Sequence, residues 1–294
     1  MEKMSYYSFV AAVLAAGLAF LLYFLHVLSG LRAARMQTAG MPSGTGPLGL
    51  VIGPRTATFG RYASILGWLS FAFLTAWLVF RTIATGHGPF ANMYEFSVAF
   101  AWGILGAYYW FERSYHQRIL GLLALPLALA MMVYAATIPA TVEPLVPALQ
   151  NNLLLTVHVA VAIVAYGAFA IAFGAAILFL IQPAGGRWGL PKPAILDEIG
   201  YKAIVIGFPF LTAVIVLGAI WAEVAWGRYW SWDPKETASL VTWLIYAAYL
   251  HARVVRGWTG QRAAILLLIG FGATLFTYFG NLFFGGLHSY AGLG

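Results

Sequence analysis

Residues 152–181 read NLLLTVHVAVAIVAYGAFAIAFGAAILFLI, thirty residues in a row without an acidic or basic charge. A helix needs only roughly 18–20 apolar residues to cross a bilayer, so this stretch spans a membrane with length to spare. Working outward, charged and Pro/Gly-rich breaks separate seven further apolar runs, near 6–30, 62–82, 95–112, 118–138, 203–226, 234–255 and 263–284. The expected fold is all-α: a single polytopic transmembrane domain over 1–294, with about eight helices and short loops. Composition agrees. The chain is 62% hydrophobic and 9% charged, against about 45–50% and about 25% in soluble domains, which leaves too little polar surface to coat a water-soluble globule. Soluble α/β enzyme folds are thereby excluded. The first run passes Leu25 with no A-x-A-like cleavage site and reads as a retained span. With no cysteine, the chain has no disulfide, iron–sulfur cluster or thiolate metal site.

Eight spans put both termini on one side. Sorting the basic residues by loop places Arg32, Arg35, Arg55, Arg61, Arg113, Arg118, Arg187, Lys192, Lys202, Arg253, Arg256 and Arg262 on one face, and only Lys3, Arg81, Arg228 and Lys235 on the other. The rich face is cytoplasmic by the positive-inside rule, so both termini are expected on the extracytoplasmic side of a cytoplasmic (inner) membrane. The net charge of +7 then mostly anchors the chain to membrane lipids, and no basic soluble groove offers itself to nucleic acid. Residues 36–61, rich in Gly, Pro, Ser and Thr, are expected to form a cytoplasmic linker, and 182–202 a second cytoplasmic connection.

Aromatic residues collect at the outer face. Trp221, Trp226, Trp230, Trp232 and Trp243 lie within 23 residues, and the outer loop 226–236 reads WGRYWSWDPKE. An interfacial belt needs one or two rings per helix end. This loop instead packs three Trp and a Tyr into seven residues, a shelf of flat π faces suited to a flat apolar ligand, with Arg228 and Lys235 near enough to pair with acidic groups on its rim. Asp233, Pro234 and Glu236 form a D-P-x-E helix start, with Asp233 as N-cap.

Six histidines are spread along the chain, and none sits in a local metal motif. His87, His158 and His288 share the outer layer with the tryptophan loop; His26 and His251 lie near the inner ends of their helices, and His116 in a short inner loop. A lone membrane histidine is commonly a packing residue, yet ionisable groups within spans tend to mark functional paths. Two histidines converging on an aromatic shelf favour haem iron, which takes two axial imidazoles while its ring stacks on Trp. Zinc prefers more protein ligands and has no use for the aromatics.

The loop WGRYWSWDPKE resembles the tryptophan-rich WWD signature of the haem-handling proteins of cytochrome c maturation. Together with GHGPFANMYEF at 86–96, NNLLLTVHVAVAIVAYGAF at 151–169, WLIYAAYLHARV at 243–254 and GGLHSYAG at 285–292, it makes the chain similar to the CcsA (ResC) type of the system II cytochrome c synthetase over about residues 80–294.

The resemblance implies haem b as bound substrate. It implies His158 and His288 as the outer iron ligands and catalytic residues, His251 as a membrane-embedded haem ligand, and Trp226, Trp230, Trp232, Asp233 and Arg228 as further haem-binding positions. It implies a holocytochrome c synthase (haem-lyase) activity: haem is translocated to an extracytoplasmic active site and, with a CcsB (ResB) membrane partner, attached to the CxxCH motif of apocytochrome c. A second reading is a haem chaperone that presents haem to a separate ligase. A third, a bis-histidine electron-carrying cytochrome, would need paired histidines on facing helices at both depths, and at the inner depth only His26 and His251 are available.

Overall fold

The computed structural model describes residues 1–40, 54–142, 149–150, 152–182, 190–280 and 283–288. Its described residues form eight α-helices and no strand: α1 (Glu2–Gly40), α2 (Pro54–Thr85), α3 (Met93–Tyr115), α4 (Gly121–Ala136, entered through a 3-10 turn at Arg118–Leu120), α5 (Asn152–Ile181), α6 (Pro193–Trp226), α7 (Pro234–Val255) and α8 (Gln261–Phe279). Seven of them, all but α3, are long and apolar enough to cross a membrane. At 1.5 Å per residue α3 still reaches about 34 Å. Its polar groups are met by neighbours: Asn92 caps it through Glu95 N, and near its other end Glu112 accepts from Tyr23 and Ser64.

Helix ends differ from the sequence expectation. The run expected from 203 begins ten residues earlier, at Pro193. Proline at the first helical position fits there because its N–H would be unpaired in any case. Asp197, inside the stretch expected as a connection, is fixed on the helix, where it accepts from Arg253 Nη2 of α7 and from Gly260 N. At the chain's end α8 stops at Phe279, short of 284. Of the expected linker 36–61, residues 36–40 and 54–61 are helical, and 41–53 lie outside the described residues. Part of the 182–202 connection, 183–189, does so too.

α1 packs along α2 and α4, while α5, α6, α7 and α8 form a second group, and α3 joins the two by packing on α4 and α5. The α3–α5 seam is a backbone contact: a Cβ at Gly167 would lie 2.6 Å from the carbonyl oxygen of Gly103. In lipid, where apolar side chains gain little from burial against one another, such close small-residue contacts supply helix–helix attraction. Tyrosines fill much of the interior, among them Tyr23, Tyr108, Tyr246 and Tyr249.

Alternation of helix direction gathers the N-terminus and the segments 86–92, 137–142, 227–233 and 283–288 at one end of the bundle. This is the tryptophan-loop end. Here Arg81 Nε donates to Glu95 Oε1 at 2.7 Å, while Nη1 and Nη2 donate to the carbonyls of Ala140 and Thr141. Both side chains are buried. This ion pair was not read from the sequence, where Arg81 counted only as an outer-face charge.

Candidate functional site

The site is built on the start of α7. Glu236 completes a capping box, its Oε2 accepting from Asp233 N at 3.1 Å and from Ser231 N at 2.8 Å. This fixes the loop that carries Trp230 and Trp232. Asp233, the N-cap, does more than cap. Its Oδ2 accepts from Lys235 N at 3.1 Å and from His288 Nδ1 at 2.8 Å, and its Oδ1 accepts from Leu287 N. The segment after α8 can come this close only because residue 286 is glycine: a Cβ there would lie 2.2 Å from Asp233 Oδ1.

This contact sets the state of His288. Burial pushes its imidazole pKa down, the Lys235 charge pushes it further, and Asp233 only partly restores it, so the ring is neutral at neutral pH. Burial works against the charge of Asp233, but the hydrogen bond and charge of His288 and the N–H groups of Lys235 and Leu287 outweigh it and hold the carboxyl below the usual range. An ionised carboxylate can only accept. Nδ1 of His288 therefore carries the hydrogen and Nε2 the lone pair, the arrangement by which a carboxylate orients a metal-binding histidine.

His158 comes from the first turns of α5. Its ring meets Trp221 edge-on at 5.5 Å, beside the backbone carbonyl of Val214, and its buried Nδ1 has no hydrogen bond of ordinary geometry among the described residues. His158 and His288 line one cleft of about 1040 Å³, its open mouth included, together with Trp221, Trp230, Tyr166 and Lys235. The opposing wall is supplied by α3 and α8 through Phe96, Phe100 and Tyr278. Only tertiary packing brings these residues in, and the sequence signal for the first two was no more than their position in and beside the NMYEF segment.

The other expected site residues lie elsewhere. Trp226 stands behind His288, edge-on at 4.9 Å, and does not line the cleft. Trp232 is 69% exposed, with a left-handed φ of 59° and its ring edge-on to Trp230 at 5.8 Å. For a bulky side chain that backbone region is strained, which is common at functional loops. Arg228 is exposed and outside the cleft. His251 is exposed on the surface of α7 near the other end of the bundle. His26 is half-buried between α1 and α2, its ring against Gly60. His87 is buried, its Nδ1 2.7 Å from Gly88 O, and does not line the cleft.

What the cleft can do follows from its donors. Two histidines in aromatic surroundings suit a flat ligand that brings a metal already partly coordinated. A bare metal ion is less well served, since no group of three or more His, Asp or Glu suited to one occurs among the described residues. The buried ring of His158, with only the Val214 carbonyl beside it, and the oriented ring of His288 both fit haem iron.

Comparison with known proteins bears on the same residues. The family model described as cytochrome C assembly protein matches residues 90–288, which include both histidines and the tryptophan loop. The chain is 37% identical over 271 residues to the cytochrome c biogenesis protein CcsA of Synechococcus elongatus, covering 74% of this chain and 83% of that protein. It is 36% identical over 302 residues to CcsA of Gloeobacter violaceus (82% and 88%) and 33% identical over 288 residues to CcsA of Porphyra purpurea (82% and 90%).

Proposed function

Because the chain belongs to the cytochrome c assembly protein family and so has a role in cytochrome c biogenesis, we propose that it carries haem b to the outer face of the cytoplasmic membrane. There, with a CcsB (ResB) partner, it attaches the haem to the CxxCH motif of apocytochrome c. The observation that carries this reading is the lining of one aromatic cleft by His158 and His288, two histidines 130 positions apart in sequence.

In this reading the tryptophan-loop end faces outward, as the excess of basic residues at the opposite end supports. His158 and His288 hold the iron from α5 and from the segment after α8, and Asp233 keeps His288 in the ligating tautomer. Trp221 and Trp230, which line the same cleft, would pack on such a ligand and exclude water. Attachment adds each cysteine S–H across a haem vinyl group, the sulfur bonding one carbon and the hydrogen the other, so no external oxidant is needed. The protein's part is to hold the two reactants in register and to yield one imidazole to the histidine of the CxxCH segment. His251, exposed on α7, serves as a waypoint whose second iron ligand comes from the partner.

The test is the absorbance spectrum of the chain purified in mild detergent, with and without the partner, as wild type and as His158→Ala, His288→Ala and His251→Ala. A Soret band that weakens or shifts in the variants, and recovers with exogenous imidazole, supports ligation. Absence of haem under both conditions overturns the reading. Co-expression with an apocytochrome then separates ligase from chaperone, because only the ligase with its partner leaves haem on the cytochrome after denaturation.

A further inference from the structure

Lys235 enters the cleft from the second position of α7, among aromatic and aliphatic side chains. It makes no ion pair among the described residues. The two carboxylates next to it in sequence are committed elsewhere: Asp233 to His288, Leu287 N and Lys235 N, and Glu236 to Ser231 and Asp233 N. No second cation lines the cleft among the described residues. Arg81 spends its guanidinium on Glu95, Ala140 and Thr141, and Arg228 is exposed outside the cleft. An ammonium held against apolar surface is costly unless a counter-charge meets it. Asp233 acts on the Lys235 ammonium only through its charge, and among the described residues no carboxylate forms an ion pair with it, which leaves the direct counter-charge to the ligand.

Resting on the haem reading above, we propose that Lys235 is the carboxylate anchor of the cleft, pairing with the acid side chains on one edge of the porphyrin, so that the site selects a porphyrin acid and not the macrocycle alone. The anchor also gives direction. In haem b the two acid groups leave one edge of the ring and the vinyl groups lie toward the other, so an acid edge fixed at Lys235 turns the vinyls away from it. Histidine ligation alone leaves the ring free to rotate about the iron axis; a charge-assisted contact at the rim removes that freedom.

The test separates this contact from ligation. Metal-free protoporphyrin IX, which has no iron for a histidine to hold, and its dimethyl ester are titrated into the full chain in mild detergent beside haem b, and quenching of tryptophan emission is followed. The diacid is expected to bind roughly tenfold or more tightly than the diester. Lys235→Gln abolishes the preference and Lys235→Arg keeps most of it. Equal binding of diacid and diester to the wild type overturns the anchor and leaves the haem site standing; that is also the outcome if an anionic lipid occupies Lys235. A preference that survives in Lys235→Gln overturns it as well, placing acid recognition on another group. Failure of haem b to bind overturns both this inference and the function on which it rests. The ester comparison needs no substitution and stays readable even if a variant misfolds.

Discussion

Each end of the bundle carries three histidines, and the pair His158 and His288 at one end differs from the pair His26 and His251 at the other in what surrounds it. At the tryptophan-loop end His158 and His288 come from α5 and from the segment after α8, line the same cleft, and one is oriented by a carboxylate. At the opposite end His26 rests against Gly60 between α1 and α2, while His251 lies exposed on α7, a helix that packs on α6 and α8 and not on α1. Depth in the membrane therefore does not make a site. Convergence of elements, plus a second residue that fixes the ring, does. The bis-histidine cytochrome reading needed the inner pair on facing helices, and the packing gives it no support.

The largest effect should come from the cleft pair. His158→Ala or His288→Ala is expected to lower haem occupancy by more than the roughly 10–100-fold that loss of an orienting residue costs, with imidazole restoring part of it. Occupancy read from the Soret band that is unchanged in both variants would erase the contrast between the ends.

Next come the residues that orient His288. Asp233→Asn keeps a competent cap but has one carbonyl oxygen where the carboxylate uses two, so it is expected to cost roughly tenfold in haem affinity. Asp233→Ala adds about 1 kcal/mol of lost capping, visible as a lower thermal midpoint. If capping were the whole role of Asp233, Asn would behave as wild type in both measurements. Gly286→Ala forces the segment carrying His288 off Asp233 and should resemble Asp233→Asn in haem affinity.

Acidification tests the same contact. The folded-state pKa of His288 is depressed, so its contribution to stability is complete above the ordinary histidine value of about 6.5 and is lost as pH falls below it. Asp233, also depressed, contributes stability above the usual aspartate value of about 3.8 and loses it only in more acid solution. A thermal midpoint that falls below pH 6.5 in the wild type and not in His288→Asn would show the first of these. The smallest effect belongs to the other end: His26→Ala should leave cleft occupancy unchanged and cost on the order of 1 kcal/mol of stability. A lost Soret band there would restore His26 as a ligand.

Much of this could be read before the fold was seen. Uninterrupted apolar runs fixed eight helices, because a helix in lipid must satisfy its own backbone and so leaves a long unbroken signature. That His158, His288 and the tryptophan loop share one end of the bundle was legible from span boundaries alone. Three things were not. At the start of α6 Asp197 is met by Arg253 of α7 and by Gly260 just before α8, contacts made far along the chain. Asp233 looked like a local helix cap, and its grip on His288 crosses 55 positions. Trp226 and Trp232 belonged to the same written motif as Trp230, but only Trp230 lines the cleft, while the ring of Trp226 meets His288 and Trp232 is exposed. Local patterns reveal helices and caps; contacts made by chain segments far apart have no local signature.

The Arg81–Glu95 pair bears on how the chain enters the bilayer. Each residue belongs to a different helix, and delivered one at a time α2 would arrive with a bare guanidinium and α3 with a bare carboxylate, each opposed by the cost of moving charge out of water. Delivered together as a hairpin through the short 86–92 turn, the two charges cancel before either meets hydrocarbon. Insertion of α2 and α3 is thereby coupled, and a substitution at either position would be felt first during membrane integration, ahead of any effect on the finished protein.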